Sequence, residues 1–352
     1  MTIPRLGFIS TLASSAVLAA CSGAASPDGS IGVLSPEADA RRRHSPSPTP
    51  SPTLSPTAAP TSSPSASPGG LIWGVTFDNV SGASTSQLAP AATMLQALNA
   101  AIGGKSWSRF VIDQGSDSAT SNYTAAYAAL SPYTNVMWEI CDSSYVKSTS
   151  LSQYSAITSN FLAKFPNSTF EVGNELNGEW LGGSSYNSAV GLANPVVAKA
   201  YASWKLVASA GKQSALTLYY EPSQTVTNGY DMVTWAQKNF ASLPDMANGL
   251  NKVLISYYET DNANVRPTLA QWTMIFQGLR AVFPNAAFGF GELGIDNPAT
   301  SSTLAKAQSI MSYYYSLKPS VSNWCGGGFW WYSAEDLVPY SKPLFTLLQS
   351  LV

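Results

Sequence analysis

Thr169-Phe170-Glu171-Val172-Gly173-Asn174-Glu175 is the stretch on which the fold turns. Its β-branched and aromatic residues suit a strand that ends on two polar side chains. A helical pattern precedes it at 153–165, with Phe161 and Leu162, and another follows at 196–210. Helix and strand alternating at this spacing predict βα units and a parallel sheet.

Working outward, the rhythm continues in both directions. Strands are predicted at 71–77 (LIWGVTF), 107–113 (WSRFVID), 135–141 (NVMWEIC), 215–221 (ALTLYYE), 253–259 (VLISYYE), 286–292 (AAFGFGE) and 327–332 (GGFWWY). Helical patterns lie between them, among them 86–102, 268–283 and a last one at 342–351. Eight strands, each followed by a helix, over residues 71–352 match the size of an α/β (β/α)8 TIM barrel. The alternative is an open doubly wound sheet, which carries a Gly-rich phosphate loop after its first strand. Here the first strand runs into Asp78-Asn79 instead.

The residues before 71 read differently. Arg5 is followed by an apolar run, Leu6 to Ala20, that fits the core of a signal peptide but is too short to span a bilayer. It ends in Leu18-Ala19-Ala20-Cys21, a run that resembles the lipobox of bacterial lipoprotein signals, so Cys21 is the expected lipidation site. Residues 45–68 comprise eight Pro, eight Ser and four Thr. Such a segment buries too little apolar area to offset chain entropy and favours an extended tether. The expected organisation is a signal peptide at 1–20, a disordered Pro/Ser/Thr linker at 21–70 and one catalytic-sized domain at 71–352. An exported protein follows, in the cell envelope or secreted, that meets a membrane only through an anchor at Cys21.

Composition narrows the chemistry. Charged residues make up 11% of the chain and the net charge is -2, so no basic patch exists to neutralise several phosphates and nucleic acid is excluded as a partner. The single histidine is His44, inside the Pro/Ser tract. The folded part therefore lacks Ser-His-Asp and Cys-His triads, His-ligated zinc and His acid/base catalysis. No cofactor and no metal is called for. Cys141 and Cys325 fall at opposite ends of distant strands, which predicts two buried thiols rather than a disulfide.

A parallel barrel keeps its active site at the carboxyl ends of its strands. Acidic residues gather there: Asp78, Asp113, Glu139, Asp142, Glu175, Glu221, Glu259, Glu292, Glu335 and Asp336. About half are expected to cap helices. Glu175 ends strand four and Glu292 strand seven, placed to face each other across a bound ligand. Two carboxyls roughly 5–5.5 Å apart suit glycoside hydrolysis with retention: one attacks the anomeric carbon, the other protonates the leaving oxygen.

Asn174-Glu175 on strand four, with a second Glu on strand seven, resembles the large clan of retaining (β/α)8 glycoside hydrolases that includes cellulases, galactanases and heparanase-like enzymes. The resemblance spans 71–352 in architecture but only short motifs in sequence. It implies that Glu175 is the acid/base and Glu292 the nucleophile. It places Arg109 beneath the nucleophile, Asn174 on the sugar 2-hydroxyl, Tyr258 (or Tyr257, one register away) as a donor to the nucleophile, and Trp331 (or Trp330) as the sugar platform. Some clan members keep a His on strand six near Ser256, and its absence here sets this chain apart from the cellulase branch; Leu176 stands where Pro is common, which separates the chain from the best-known families. Trp73, Trp138, Trp180, Trp330 and Trp331, at strand ends, are expected to line a glycan groove, with Trp180 and Tyr186 in a loop walling it. The implied activity is endo-acting hydrolysis of a β-linked, neutral oligo- or polysaccharide by a monomer. A non-catalytic sugar-binding lipoprotein and a transglycosylase are the alternatives. Glu175, near a second carboxylate, is expected to titrate at roughly 6, giving a bell-shaped pH profile on the acid side of neutral.

Overall fold

The computed structural model describes residues 71–181, 189–223, 231–326 and 328–352. The signal peptide, Cys21, the linker and Tyr186 lie outside the described residues. Among the described residues nine strands run parallel: β1 Gly74–Phe77, β2 Ser106–Val111, β3 Thr134–Glu139, β4 Thr169–Gly173, β5 Gln213–Tyr219, β6 Lys252–Tyr257, β7 Ala287–Leu293, β8 Trp324–Gly326 and β9 Phe329–Trp330. Each of β1 to β6 pairs with the next, and β6 pairs with β7. Both β8 and β9 pair with β7, and β9 pairs back to β1. The ring is therefore closed, with β8 and β9 sharing the eighth stave, and the open-sheet alternative falls away. The eighth strand starts earlier than the expected 327 because Trp324 already pairs with Phe288.

The helices form where their termini are satisfied. Leu151–Lys164 (α3, after α1 Thr85–Ile102 and α2 Thr120–Leu130) starts at Ser150, whose hydroxyl accepts from Gln153 N while the Gln153 side chain reaches back, a capping box. Pro195–Ser209 (α4) opens with Asn194 as cap and Pro at its first position. Strand residues alternate between two cores. Phe110, Trp138, Phe288 and Phe290 face outward under the helices. Ile72, Met137, Ala215, Leu254, Cys325 and Phe329 fill the lower barrel interior. That plug closes the bottom, so the polar interior residues above it open only toward the carboxyl ends of the strands. Cys141 and Cys325 are buried free thiols.

Candidate active site

The site begins with an arginine in the barrel. Arg109, on β2, is fully buried and points inward above the apolar plug. Its Nε donates to Glu171 Oε2 at 2.6 Å and its Nη2 to Glu171 Oε1 at 3.1 Å. Its Nη1 donates to Glu292 Oε1 at 2.7 Å, and Nη2 lies 3.0 Å from Glu139 Oε2. One cation thus faces three buried carboxyls on β3, β4 and β7. Burial is the largest influence on Glu139 and Glu171: it pushes Glu139 well above the ordinary carboxyl range, reinforced by Glu171, Asp142 and Glu292, while Arg109 opposes it. Glu171 is pushed up as well, first by burial. The attraction of the three carboxyls outweighs burial at Arg109, whose affinity for its proton is raised. Glu171 holds the fork-shaped pair with Arg109 that an ionised carboxylate makes. Glu139 Oε1 also accepts from the Asn174 side-chain amide at 2.9 Å.

Glu175 comes to the same place by an unusual backbone. Glu171 pairs with Ala215 and Gly173 with Leu216, so Val172 is an extra residue in β4, a bulge. Glu175 itself has φ of 49°, a left-handed conformation that costs a side-chain-bearing residue about 1–3 kcal/mol. Three contacts enforce it. Glu175 N donates to Thr217 O at 2.9 Å. The Asn177 amide pairs with both backbone groups of Tyr219, at 2.7 and 2.8 Å. Leu176 lies so close to Gly173 that a β-carbon there would meet its side chain at 2.7 Å. The outcome is that Asn174 and Glu175, adjacent in sequence, both face the barrel interior.

β7 uses the same device. Ile255 pairs with Phe290 but Ser256 with Glu292, leaving Gly291 as the extra residue. Phe288 and Phe290 pack on Phe276 beneath the helices, so strict alternation would send Glu292 outward with them. The bulge turns it inward onto Arg109. A β-carbon at Gly291 would meet Thr217 Oγ1 at 2.7 Å, so only glycine fits the bulge.

Glu175 and Glu292 meet at one hydroxyl. Ser256 Oγ on β6 lies 2.7 Å from Glu292 Oε2 and is also in hydrogen-bond contact with Glu175 Oε1. Ser143 Oγ donates to Glu175 Oε2 at 2.9 Å. Two O–H···O lengths limit the nearest oxygens of the carboxyls to about 6 Å or less. The strands that carry them are three staves apart rather than diametrically opposed; the side chains converge over β6.

The aromatic residues sort by register. Trp331 is half-buried and its ring lies 5.5 Å from the Arg109 guanidinium carbon, at the mouth. Trp330 is fully buried and donates from Nε1 to Asp336 on the outer face. Tyr258 packs beside Gly294 and Trp331, whereas Tyr257 points outward, its hydroxyl on Val265 O at 2.6 Å. Trp180, in the turn after Glu175, stands edge-on to Tyr219 at 5.0 Å. Trp138 corrects the expectation. It is fully buried between Phe161, Phe165 and Tyr123, with Nε1 bonded to Ser168, because inward Glu139 forces its neighbour outward. Trp73 stacks on Tyr315 ahead of β1, at the closed end of the barrel. Neither lines the mouth.

Sequence reasoning did not single out Glu171, Ser143 or Ser256 as site residues, and it left Glu139 as a strand-end acid. Glu171 was readable: an ionisable residue on the inward face of a buried strand needs a partner, and Arg109 was already placed inward. The serines carry no comparable signal. Two other strand-end acids, Glu259 and Asp336, are structural. Glu259 makes a forked pair with Arg266 at 2.5 and 3.0 Å, and Asp336 accepts from Trp330 and from Ala299 N. Among the described residues no group of three or more His, Cys, Asp or Glu is arranged to hold a metal ion.

The mouth above the site is acidic. Burial first, then Glu335, Asp113 and Asp142, raise Asp78 to about 6. Its folded value lies above that of the unfolded chain, so the folded state binds the proton more tightly, and stability falls as pH rises from about 4 to 6. Asp78→Asn removes that penalty. Its melting temperature should exceed that of the wild type by several degrees at pH 7, for a shift worth about 2–3 kcal/mol, and match it at pH 4. An equal difference at both pH values in thermal melts would refute the burial account.

No family model matches the sequence, and no curated protein matches it. Solved structures do. The chain is similar to a GH10 xylanase from Bispora sp. MEY-1 bound to xylobiose, with TM-score 0.53 and 11% identity over 81% of this chain and 97% of that one. It is similar at TM-score 0.44 and 12% identity to a thermostable mutant xylanase from Cellvibrio japonicus, over 77% and 92% of the two chains. A β-glucosidase from Exiguobacterium marinum gives TM-score 0.42 and 9% identity over 74% and 88%. These neighbours are glycoside hydrolases, and what the Bispora xylanase shares with this chain is their fold, the closed (β/α)8 barrel.

Proposed function

We propose that this chain is a retaining glycoside hydrolase that cleaves a neutral β-linked oligo- or polysaccharide, internally within the chain, by double displacement. The observation that carries the reading is the meeting of Glu175 and Glu292 on one hydroxyl at the carboxyl ends of the strands, with Arg109 bonded to Glu292 alone of the two. That spacing is compatible with the short carboxyl separation of retaining enzymes and tight for the roughly 6.5–9.5 Å that inverting enzymes need to admit a water.

Glu292 attacks the anomeric carbon as the glycosidic C–O bond breaks, and Glu175 passes its proton to the departing oxygen. Water then attacks the glycosyl-enzyme, gives a proton to Glu175 and releases Glu292 as carboxylate. Arg109 offsets charge on Glu292 in the resting and final states. Asn174 Oδ1 is buried with no hydrogen-bond partner, an acceptor that a sugar hydroxyl would satisfy. The Trp331 face over Arg109 offers a platform for sugar C–H groups, with Tyr258 beside it. The acids around Asp78 would repel a polyuronate and tolerate a neutral glycan. The domain would act as a monomer, tethered through the linker to a lipidated Cys21.

The test is turnover of neutral β-glucans, xylans, mannans and aryl β-glycosides by the purified protein, with proton NMR of the first product. The expected first anomer is β. An α anomer as first product would overturn the double displacement, and sugar transfer to alcohol acceptors in place of water would make the protein a transglycosylase.

A further inference from the structure

Ser256 is fully buried on β6, directly across from Glu292 in the register. Its hydroxyl contacts an oxygen of each glutamate. A serine hydroxyl has one proton to donate. If both glutamates were ionised, one contact would set lone pair against lone pair. Both contacts are hydrogen bonds only when a second proton sits on one of the carboxyls. Arg109 decides which, since it donates to Glu292 Oε1 and stabilises that group as carboxylate. The chain then reads Glu175 O–H to Ser256 Oγ, and Ser256 O–H to Glu292 Oε2.

We propose that Ser256 is a positioning residue that bridges the two carboxyls and fixes their division of labour, Glu175 protonated and Glu292 charged. The inference rests on the two-carboxylate reading above and adds the device that sets its protonation. When Glu175 gives its proton to the leaving oxygen and Glu292 becomes an ester, the Ser256 proton turns to the new Glu175 carboxylate. When water has transferred a proton to Glu175 and Glu292 is released, the hydroxyl turns back. No proton is gained or lost by the serine over the cycle. The titratable and charged groups around the bridge are Arg109 on β2, Glu139 and Asp142 at the end of β3, Glu171 on β4 and Tyr258 after β6. All of them are unchanged in a Ser256 variant.

The test needs no substrate. The full chain is labelled with 13C-carboxyl glutamate, and the signals of the pair are assigned with Glu175→Gln and Glu292→Gln. In the wild type the pair should titrate in two well-separated macroscopic steps. Ser256→Ala should bring the steps together by about one pH unit, because a donor to the charged partner and an acceptor from the neutral one are both lost. Ser256→Thr and Ser256→Val have the same shape and differ in the hydroxyl; the Thr variant should keep the wild-type separation and the Val variant should lose it. Equal separation in the Thr and Val variants overturns the bridge. The glycosidase reading fails on a different result, undiminished turnover by Glu292→Gln, so the two can be judged apart.

Discussion

With Glu292 as the proposed nucleophile, Glu292→Gln should lower turnover of any glycan the wild type cleaves by about 10⁴-fold or more, since an amide of the same shape cannot form the glycosyl ester. The fold should not suffer. Glu292 is one of three buried carboxyls sharing Arg109, and removing one charge relieves their repulsion. The melting temperature of the variant is expected to equal or exceed that of the wild type, the usual signature of a site kept for activity at the expense of stability. Glu175→Gln should cost about 10²–10⁴-fold on natural glycans, the range for a general acid. On an aryl glycoside whose phenolate leaves without a proton, the first step should be nearly unaffected and the glycosyl-enzyme should accumulate. Steady-state kinetics with both leaving groups, beside thermal melts, separate these outcomes. Wild-type turnover by Glu292→Gln, or the same loss on both leaving groups in Glu175→Gln, would remove the assigned roles.

Arg109→Met acts on stability instead. It deletes the buried cation and leaves the fully buried carboxyls of Glu139 and Glu171 without it. Breaking a buried ion pair from one side costs about 3–5 kcal/mol. For a domain of this size that lowers the melting temperature by about 10 °C. The pH dependence identifies the cause. Carboxyls deprived of Arg109 bind protons more tightly in the folded state than in the unfolded chain, so the deficit should be largest at neutral pH and shrink toward pH 4. Arg109→Met with Glu171→Gln should recover part of the loss, because the second change removes a charge the first left alone. A melting temperature for Arg109→Met equal to the wild type at pH 7 would mean that the cluster does not hold together as an ion network.

Much of this molecule was legible in the chain. The alternation of strand and helix patterns marked the eight staves to within a few residues. The terminal Asn174-Glu175 and Glu292 could be placed at the carboxyl ends of β4 and β7 because strand ends are announced by the polar residues that follow apolar runs. Two pairs of neighbours, Tyr257 with Tyr258 and Trp330 with Trp331, could not be resolved. A one-residue slip exchanges the two faces of a strand, and both members of each pair are aromatic. Trp138 was misplaced for the same reason: aromatic character does not say which side of the barrel wall a ring occupies.

The sequence by itself marked eight βα units of barrel size, and it determined that carboxyls rather than histidines stand at the mouth; closure of the ring was decided by the pairing of β9 with β1 and of β6 with β7. Only the tertiary structure decided which carboxyls meet. Period-two alternation sends Glu292 outward with Phe288 and Phe290. The extra residue at Gly291 and the left-handed backbone of Glu175 reverse that local geometry, and both are held by contacts to β5. Such bulges depend on the register between strands far apart in the chain, so their position becomes fixed only when the barrel closes.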